Sequence, residues 1–467
     1  MTKTILALCI AAMISPVAFA ADRAMPEDLP AYAADKPLPV PAIQQRTLDN
    51  GLAVWVVPRD GMPRVDYVLA FKGAGLAADE ASMPGFASTL AGLLGEGTAK
   101  RDSKAIAEYA QSLGGGVGAF AGNDGLVVSA DALASNADAM LGLLAEVART
   151  ASFPEQEIAL AKANALQGLK AAEAQPGFRA ERAILKAVYG EHPYARTQNT
   201  EEGINAITRD KLVAAYRQRL RPDQALLVVT GRIDADTGFT LAQRHFGDWK
   251  VEGKAAAATG TAASTAKPGF VHLARSGSVQ SALRIGRPAV AATDADYIPL
   301  RVASTILGGG FSSRLMQNLR EDKGYTYGAG LGYRAQIAGG ALIASADVRN
   351  DVTGAALGEF FAEYKRIGAE AVSAAELDMN KRYIAGGYLI SNQLQGAVAG
   401  TLANNWLTGL PPEFLGEFVP KVRAVDAAQV QAIGKKYFAP EQQSIVVVGD
   451  NAVMEQLKAY GDFTSAQ

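Results

Sequence analysis

RPDQALLVVTGRID, from Arg221 to Asp234, returns in altered form 218 residues later as APEQQSIVVVGDNA, from Ala439 to Ala452. In each copy Pro, an acidic residue and Gln precede a β-rich apolar run that closes on a glycine, Gly231 or Gly449. A helical stretch leads into each, Arg209 to Leu220 and Asp426 to Phe438. Further upstream, VDYVLAFKGAG (Val65 to Gly75) and SALRIGRPAV (Ser281 to Val290) are alternating strands that run into a helix. Two matches in the same order predict an internal duplication. The fold expected is α+β: two self-contained halves of roughly 200 residues, each a mainly antiparallel sheet packed with helices.

The halves are expected at 44–250 and 269–467. Between them, residues 251–268 (VEGKAAAATGTAASTAKP) are mostly Ala, Gly, Thr and Ser, with little to bury. That composition predicts an exposed linker.

Residues 1–20 read as a secretory signal peptide. Lys3 precedes an apolar run from Ile5 to Ile14, then Pro16, then Ala18-Phe19-Ala20 with small residues at the cleavage positions. The run is too short to span a bilayer, and no later segment has the ~18 uninterrupted apolar residues of a spanning helix. The mature chain is therefore expected to be soluble and periplasmic after cleavage at Ala20, following a Pro-rich lead-in from Pro26 to Pro41. The single cysteine, Cys9, lies in the signal, which excludes disulfides, cysteine catalysis and thiolate metal sites from the mature chain.

With 45 basic and 47 acidic residues, a formal charge of −2, the chain has no basic footprint for nucleic acid or anionic lipid. Peptides or small molecules are left as partners. No G-x-S-x-G elbow is present. Gly114 to Ala119 mimics a dinucleotide loop but follows a helix and leads into a strand, the reverse of the order that offers a helix N-terminus to phosphate.

Val65-Asp66-Tyr67-Val68, Gly73-Ala74-Gly75, Asp79-Glu80, Pro84-Gly85-Phe86-Ala87, Gly97-Thr98 and the later Leu185 to Tyr194 (LKAVYGEHPY) resemble the N-terminal half of a pitrilysin/insulinase zinc peptidase subunit, of the kind found in mitochondrial processing peptidase. The resemblance extends through the second half and covers nearly the whole mature chain. It implies that the two halves form one side of a clamshell. In catalytic members a helix after that Gly carries His-x-x-Glu-His, two zinc ligands four apart on one face and a Glu that activates water. Here the pattern falls on Ser88, Ala91 and Gly92, and the segment Ala165 to Ala172, where a further zinc carboxylate belongs, contains no acid. A zinc site needs three protein ligands. The only histidines are His192, His245 and His272, far apart in sequence. His192 reads as a helix-end residue of an HPY turn, with a ligand or substrate contact as the alternative; His245 and His272 read as surface or sheet-edge residues. No metal or other cofactor is expected in this chain.

Leu307 to Arg334 (LGGGFSSRLMQNLREDKGYTYGAGLGYR) is close to the family's C-terminal-half signature. Gly308, Gly309 and Gly310 make a flexible, substrate-gating loop, Ser312 to Glu321 is helical, and a strand begins at Tyr325 to Tyr327. In the family an Arg on the helix and a Tyr seven residues on reach the zinc-bound substrate. That spacing selects Arg320 and Tyr327. A guanidinium and a phenol hydroxyl can both donate to the negative charge that grows on a peptide carbonyl under attack by water. The competing reading has Arg320 paired with Glu321 or Asp322 on a solvated face and Tyr327 as a plain sheet residue. Tyr325, two residues away, is expected on the same strand face as Tyr327.

The resemblance thus implies the non-metal subunit of a heterodimeric zinc metalloendopeptidase, with zinc in a homologous partner, a peptide substrate, and Arg320 and Tyr327 contributed from this side. The alternative is a catalytically inert structural or peptide-binding protein of the same fold, like the family's core subunits in respiratory complexes.

Overall fold

Strands β6 (Ala225–Gly231) and β11 (Ser444–Gly449), which carry the repeated sequence, are buried along their whole length. An unbroken apolar run is the signature of a strand covered on both faces. The computed structural model describes residues 40–255, 259–262 and 267–466, so the expected signal peptide and all but the end of the Pro-rich lead-in lie outside the described residues.

β6 sits inside a six-stranded mixed sheet with β1 (Gln44–Thr47), β2 (Ala53–Pro58), β3 (Arg64–Lys72), β4 (Gly116–Ala121) and β5 (Gly125–Leu133), in the order β1-β2-β6-β3-β5-β4. β11 sits in a second, with β7 (Phe270–Ala274), β8 (Gln280–Ala289), β9 (Thr326–Gln336), β10 (Gly339–Arg349) and β12 (Thr464–Ala466), in the order β12-β7-β11-β8-β10-β9. Each sheet is mainly antiparallel, with β2–β6 parallel in the first and β7 parallel to both neighbours in the second. Strand for strand, β2-β6-β3-β5-β4 repeats as β7-β11-β8-β10-β9, so the duplication expected from sequence is a duplication of topology. The helix before β6 runs Arg209–Arg219 and the one before β11 runs Ala427–Tyr437, the latter opened by a capping box between Asp426 and Gln429.

The halves are not self-contained. One face of β6, with Leu227 and Val229, joins the first half's own core beside Val54, Val56 and Phe71. The other face, with Leu226 and Val228, is covered by Val398 and Leu402 of the helix Gln395–Leu407, which belongs to the second half. The exchange is reciprocal. Val446 and Val448 of β11 pack against Ile184 and Val188 of the first half's helix Pro176–Tyr189, while Ile445 and Val447 face the second core.

Both exchanged helices begin over a charged strand residue, and both carry glycine there. A Cβ on Gly177 would lie 3.1 Å from Arg284 Nη2, and one on Gly396 would lie 2.7 Å from Asp66 Oδ1. A second link joins the β4–β5 turn to the β9–β10 turn. Tyr194 Oη donates to the Asp124 carboxylate and accepts from Ala338 N at 3.2 Å, and Ile337 N donates to Asp124 Oδ2 at 3.0 Å. Burial raises the Asp124 carboxyl above its ordinary range, and these donors oppose the shift.

The described residues of the linker are mostly exposed, as the sequence reading expects, with one departure. Ala262 is buried and anchored, its N–H donating to Ala338 O at 2.6 Å. Residues 256–258 and 263–266 of the expected linker lie outside the described residues. His272 is not at a sheet edge either. β12 pairs outside β7, and His272 is fully buried, with neither ring nitrogen hydrogen-bonded. Among the described residues no helix is long and apolar enough to cross a membrane.

Candidate functional site

The Leu307–Arg334 segment is arranged around one packing requirement, the close approach of the helix Tyr297–Gly308 to β9. Gly308 ends that helix and is buried, and a Cβ on it would lie 2.4 Å from Leu331 N. Gly308 is therefore a packing residue and not part of a flexible loop. The turn proper runs from Gly309 to Ser313. It enters the short helix Arg314–Met316, which widens into a π-helical turn, Gln317–Asp322, carrying Arg320. Such turns are rare and occur often at functional sites. Gly324, at φ +61, then reverses the chain into β9.

A polar network fixes this turn to the helices Thr353–Ala369 and Ala374–Ser391. Arg314 donates from Nε and Nη2 to the two carboxylate oxygens of Glu376, both at 2.7 Å. The pair is bidentate and partly buried, and the carboxylate keeps the Arg314 guanidinium charged. Asn318 Nδ2 bridges Glu359 and Glu363 at 3.0 Å each. Leu315 and Leu319 point the other way, into the second core.

Arg320 and Tyr327 meet on the outer surface of this turn. The Arg320 guanidinium carbon lies 4.7 Å from the Tyr327 ring centroid and 4.5 Å from that of Phe311, so the cation lies against two exposed aromatic rings. Tyr327 is 87% exposed and Phe311 70%. Arg320 Nε also reaches Glu321 at 3.3 Å, as the competing reading expected, so the ion pair and the stacking coexist. Tyr325 does not share a face with Tyr327. It precedes β9 and packs against the second core. The reason is a bulge: Thr326 pairs with Val348 and Ala329 with Ala346, so Tyr327 and Gly328 together oppose Asp347 alone. The irregularity turns the Tyr327 side chain outward at an edge strand.

In the first half, Gly85, at φ +82, starts the helix Phe86–Leu93. Ser88 and Gly92 lie on its exposed side, whereas Ala91 is buried in the first core. These residues do not fit zinc. A hydroxyl, a glycine and an alanine supply neither imidazole nor carboxylate, and among the described residues no cluster of three His, Cys, Asp or Glu could hold a metal. His192 takes the helix-end role expected of it, accepting from Tyr194 N at 3.2 Å, with Nε2 2.8 Å from Gly260 O. His245 Nε2 lies 2.7 Å from Asp138 Oδ1.

Sequence reading missed Phe311 and the Arg314–Glu376 clamp. Phe311 had a signal, a large aromatic residue isolated between glycines and serines. The clamp joins residues 62 apart and had none.

Comparison with known proteins agrees with this architecture. The insulinase (peptidase family M16) profile matches residues 67–200, and the peptidase M16 inactive domain profile matches residues 206–384. The chain belongs to the M16 family of insulinase/pitrilysin-like peptidases. It is similar to the uncharacterized zinc protease YmxG of Bacillus subtilis, 25% identical over 85% of this chain and 96% of that protein. An uncharacterized zinc protease of Mycobacterium leprae is 27% identical over 60% of this chain and 63% of its own length. Among solved structures, the peptidase M16 inactive domain from Pseudomonas fluorescens superposes with a TM-score of 0.82 at 27% identity, covering 88% of this chain and 98% of that one.

Proposed function

We propose that this chain is the non-metal subunit of an exported, periplasmic zinc endopeptidase, closing the peptide chamber of a zinc-bearing homologous partner. The observation that carries the reading is the pairing of an exposed Arg320–Tyr327 couple with a helix, Phe86–Leu93, that has no donor for metal. A zinc held by the partner would supply the activated water, and negative charge would develop on the oxygen of the peptide carbonyl under attack. The Arg320 guanidinium and the Tyr327 hydroxyl donate to that oxygen without being consumed. The hydroxyl has no partner among the described residues and needs none broken first. A preorganised donor of this kind is typically worth roughly 2.7 to 4 kcal/mol of transition-state stabilisation. Gly309 and Gly310 let the turn bearing Phe311 adjust as a peptide enters. The experiment is co-purification of the mature chain with an H-x-x-E-H homologue, followed by peptidase assays of each chain and of the mixture. Activity confined to the mixture supports the reading. A homologue fully active alone, gaining nothing on mixing, leaves the inert structural role.

A further inference from the structure

The duplication gives the second half its own counterpart of the degenerate metal helix. Aligning Leu93 to Gly97 (LLGEG) with Ile306 to Gly310 (ILGGG) places Arg301, Ser304 and Thr305 opposite Ser88, Ala91 and Gly92. Where the first helix has a serine, an alanine and a glycine, this one has three polar side chains. The side of the helix that carries Arg301, Ser304 and Thr305 forms one wall of a groove of about 680 Å³, with the helix Ala374–Ser391 opposite and Leu331 and Tyr333 of β9 also lining it.

Two polar atoms of this groove are buried and unpaired. Ser304 and Asn392 are each 3% exposed, and Ser304 Oγ and Asn392 Oδ1 have no hydrogen-bond partner. The Asn392 amide nitrogen is engaged, donating to Tyr388 O at 2.9 Å. An unmade hydrogen bond at a buried group is costly, so two in one groove call for a ligand or water that completes them. A hydroxyl that can donate and a carbonyl oxygen that accepts are the complement of a peptide unit.

The rest of the groove narrows the choice. Tyr383 and Ile390 are 60% and 68% exposed on its wall. No carboxylate lines it, whereas Arg301 and Arg382 both do. Arg382 is engaged by Asp378 at 2.7 Å. Arg301 is exposed, 5.5 Å from the Phe418 ring centroid, with no ion-pair partner among the described residues. The groove also reaches the Arg320 site. Gly309 lines it, a Cβ on Gly310 would lie 3.4 Å from the Tyr383 ring, and the next residue is Phe311.

We propose that this groove is an anchoring site for an extended peptide segment in which an apolar or aromatic side chain neighbours a carboxylate. The apolar side chain lies against Tyr383 and Ile390, the carboxylate pairs with Arg301, and the backbone meets Ser304 Oγ and Asn392 Oδ1. Only in taking that peptide as the substrate does the inference rest on the subunit reading; the binding itself requires neither partner nor turnover.

The test is fluorescence anisotropy on the mature chain alone with a labelled peptide, acetyl-Gly-Phe-Glu-Leu-Gly amide, and versions with Phe→Ser or Glu→Lys. Saturable binding is expected, weakened about tenfold or more by Glu→Lys in the peptide and by Arg301→Glu in the chain, with partial recovery when the two are combined. Ile390→Ser weakens the parent and Glu→Lys peptides alike, while Val279→Ser, on a remote turn, changes nothing. All three chain positions are exposed, so a thermal melt is expected to show each variant folded. No saturable binding, or binding indifferent to both Arg301→Glu and Ile390→Ser, overturns the proposal. Binding that behaves as expected in a chain that confers no activity on a zinc homologue keeps the groove and removes the subunit reading.

Discussion

Arg320 and Tyr327 stand seven residues apart on different elements, yet the guanidinium carbon of one lies 4.7 Å from the ring centroid of the other. The contact exists because a π-helical turn sets the arginine outward and a bulge at the start of β9 does the same for the tyrosine.

Tyr327→Phe and Arg320→Ala are each expected to lower kcat of the reconstituted pair by about 10² to 10³ while leaving KM and complex formation nearly unchanged, since a donor used mainly in the transition state adds little to ground-state binding. Tyr325→Phe is expected to leave turnover near normal, because Tyr325 packs against the core. Steady-state kinetics on the three variants decide it. Loss with Tyr325→Phe and not with Tyr327→Phe moves the assignment by two residues.

Phe311 offers Arg320 a second aromatic ring, its centroid 4.5 Å from the guanidinium carbon. An exposed cation–π contact is worth about 0.5 to 1 kcal/mol, so Phe311→Ala is expected to reduce kcat about 2- to 5-fold, with Phe311→Trp restoring it. If Phe311→Trp is as slow as Phe311→Ala, stacking is not how Phe311 acts.

Because the halves exchange helices, damage at either seam is expected to reach the whole chain. Ile184→Ala and Leu402→Ala each empty a fully buried site, at a cost of about 2 to 5 kcal/mol. Each should lower a single unfolding transition in calorimetry and not split it. Residues 40–250 expressed alone leave Leu226 and Val228 uncovered and are expected to bind a hydrophobic dye or aggregate. A monodisperse, cooperatively folding fragment contradicts the interlocked arrangement.

Burial lowers the pKa of His272 below the usual imidazole value, with the nearby Gly449 and Asp450 opposing the shift. The unfolded chain therefore takes up a proton that the folded chain refuses, and His272 destabilises the fold as pH drops below about 6.5, by up to about 1.4 kcal/mol per pH unit until its folded pKa is reached. Asp66 and Asp124, raised by burial, work in the opposite direction. The informative quantity is the stability difference between wild type and His272→Leu from pH 7.5 to 5. It is expected to shift towards the variant on acidification, and a pH-independent difference contradicts the assignment.

Metal analysis of the purified mature chain is expected to find far less than one zinc per chain, and a chelator is expected to leave its melting temperature unchanged, because Ser88, Ala91 and Gly92 offer no metal ligands. One tightly held zinc per chain overturns this.

The sequence by itself determined the duplication, and with the family resemblance it indicated the two mainly antiparallel sheets and the serine, alanine and glycine at positions 88, 91 and 92. These are local properties: an apolar run closing on glycine reads as a strand wherever it sits, and a serine, an alanine and a glycine bring neither imidazole nor carboxylate in any setting. The resemblance to the family's C-terminal-half signature singled out Arg320 and Tyr327. Tertiary structure alone decided what covers each buried strand. Val446 and Val448 are as apolar as Ile445 and Val447, and nothing in the run says that the first pair meets a helix from 260 residues upstream. It also decided that Gly308 packs against Leu331, that Tyr325 turns inward while Tyr327 turns outward, that Arg314 is clamped by Glu376, and that Ser304 and Asn392 share one groove. Each of these depends on a single close approach between distant segments, and composition and periodicity carry no record of which segments meet.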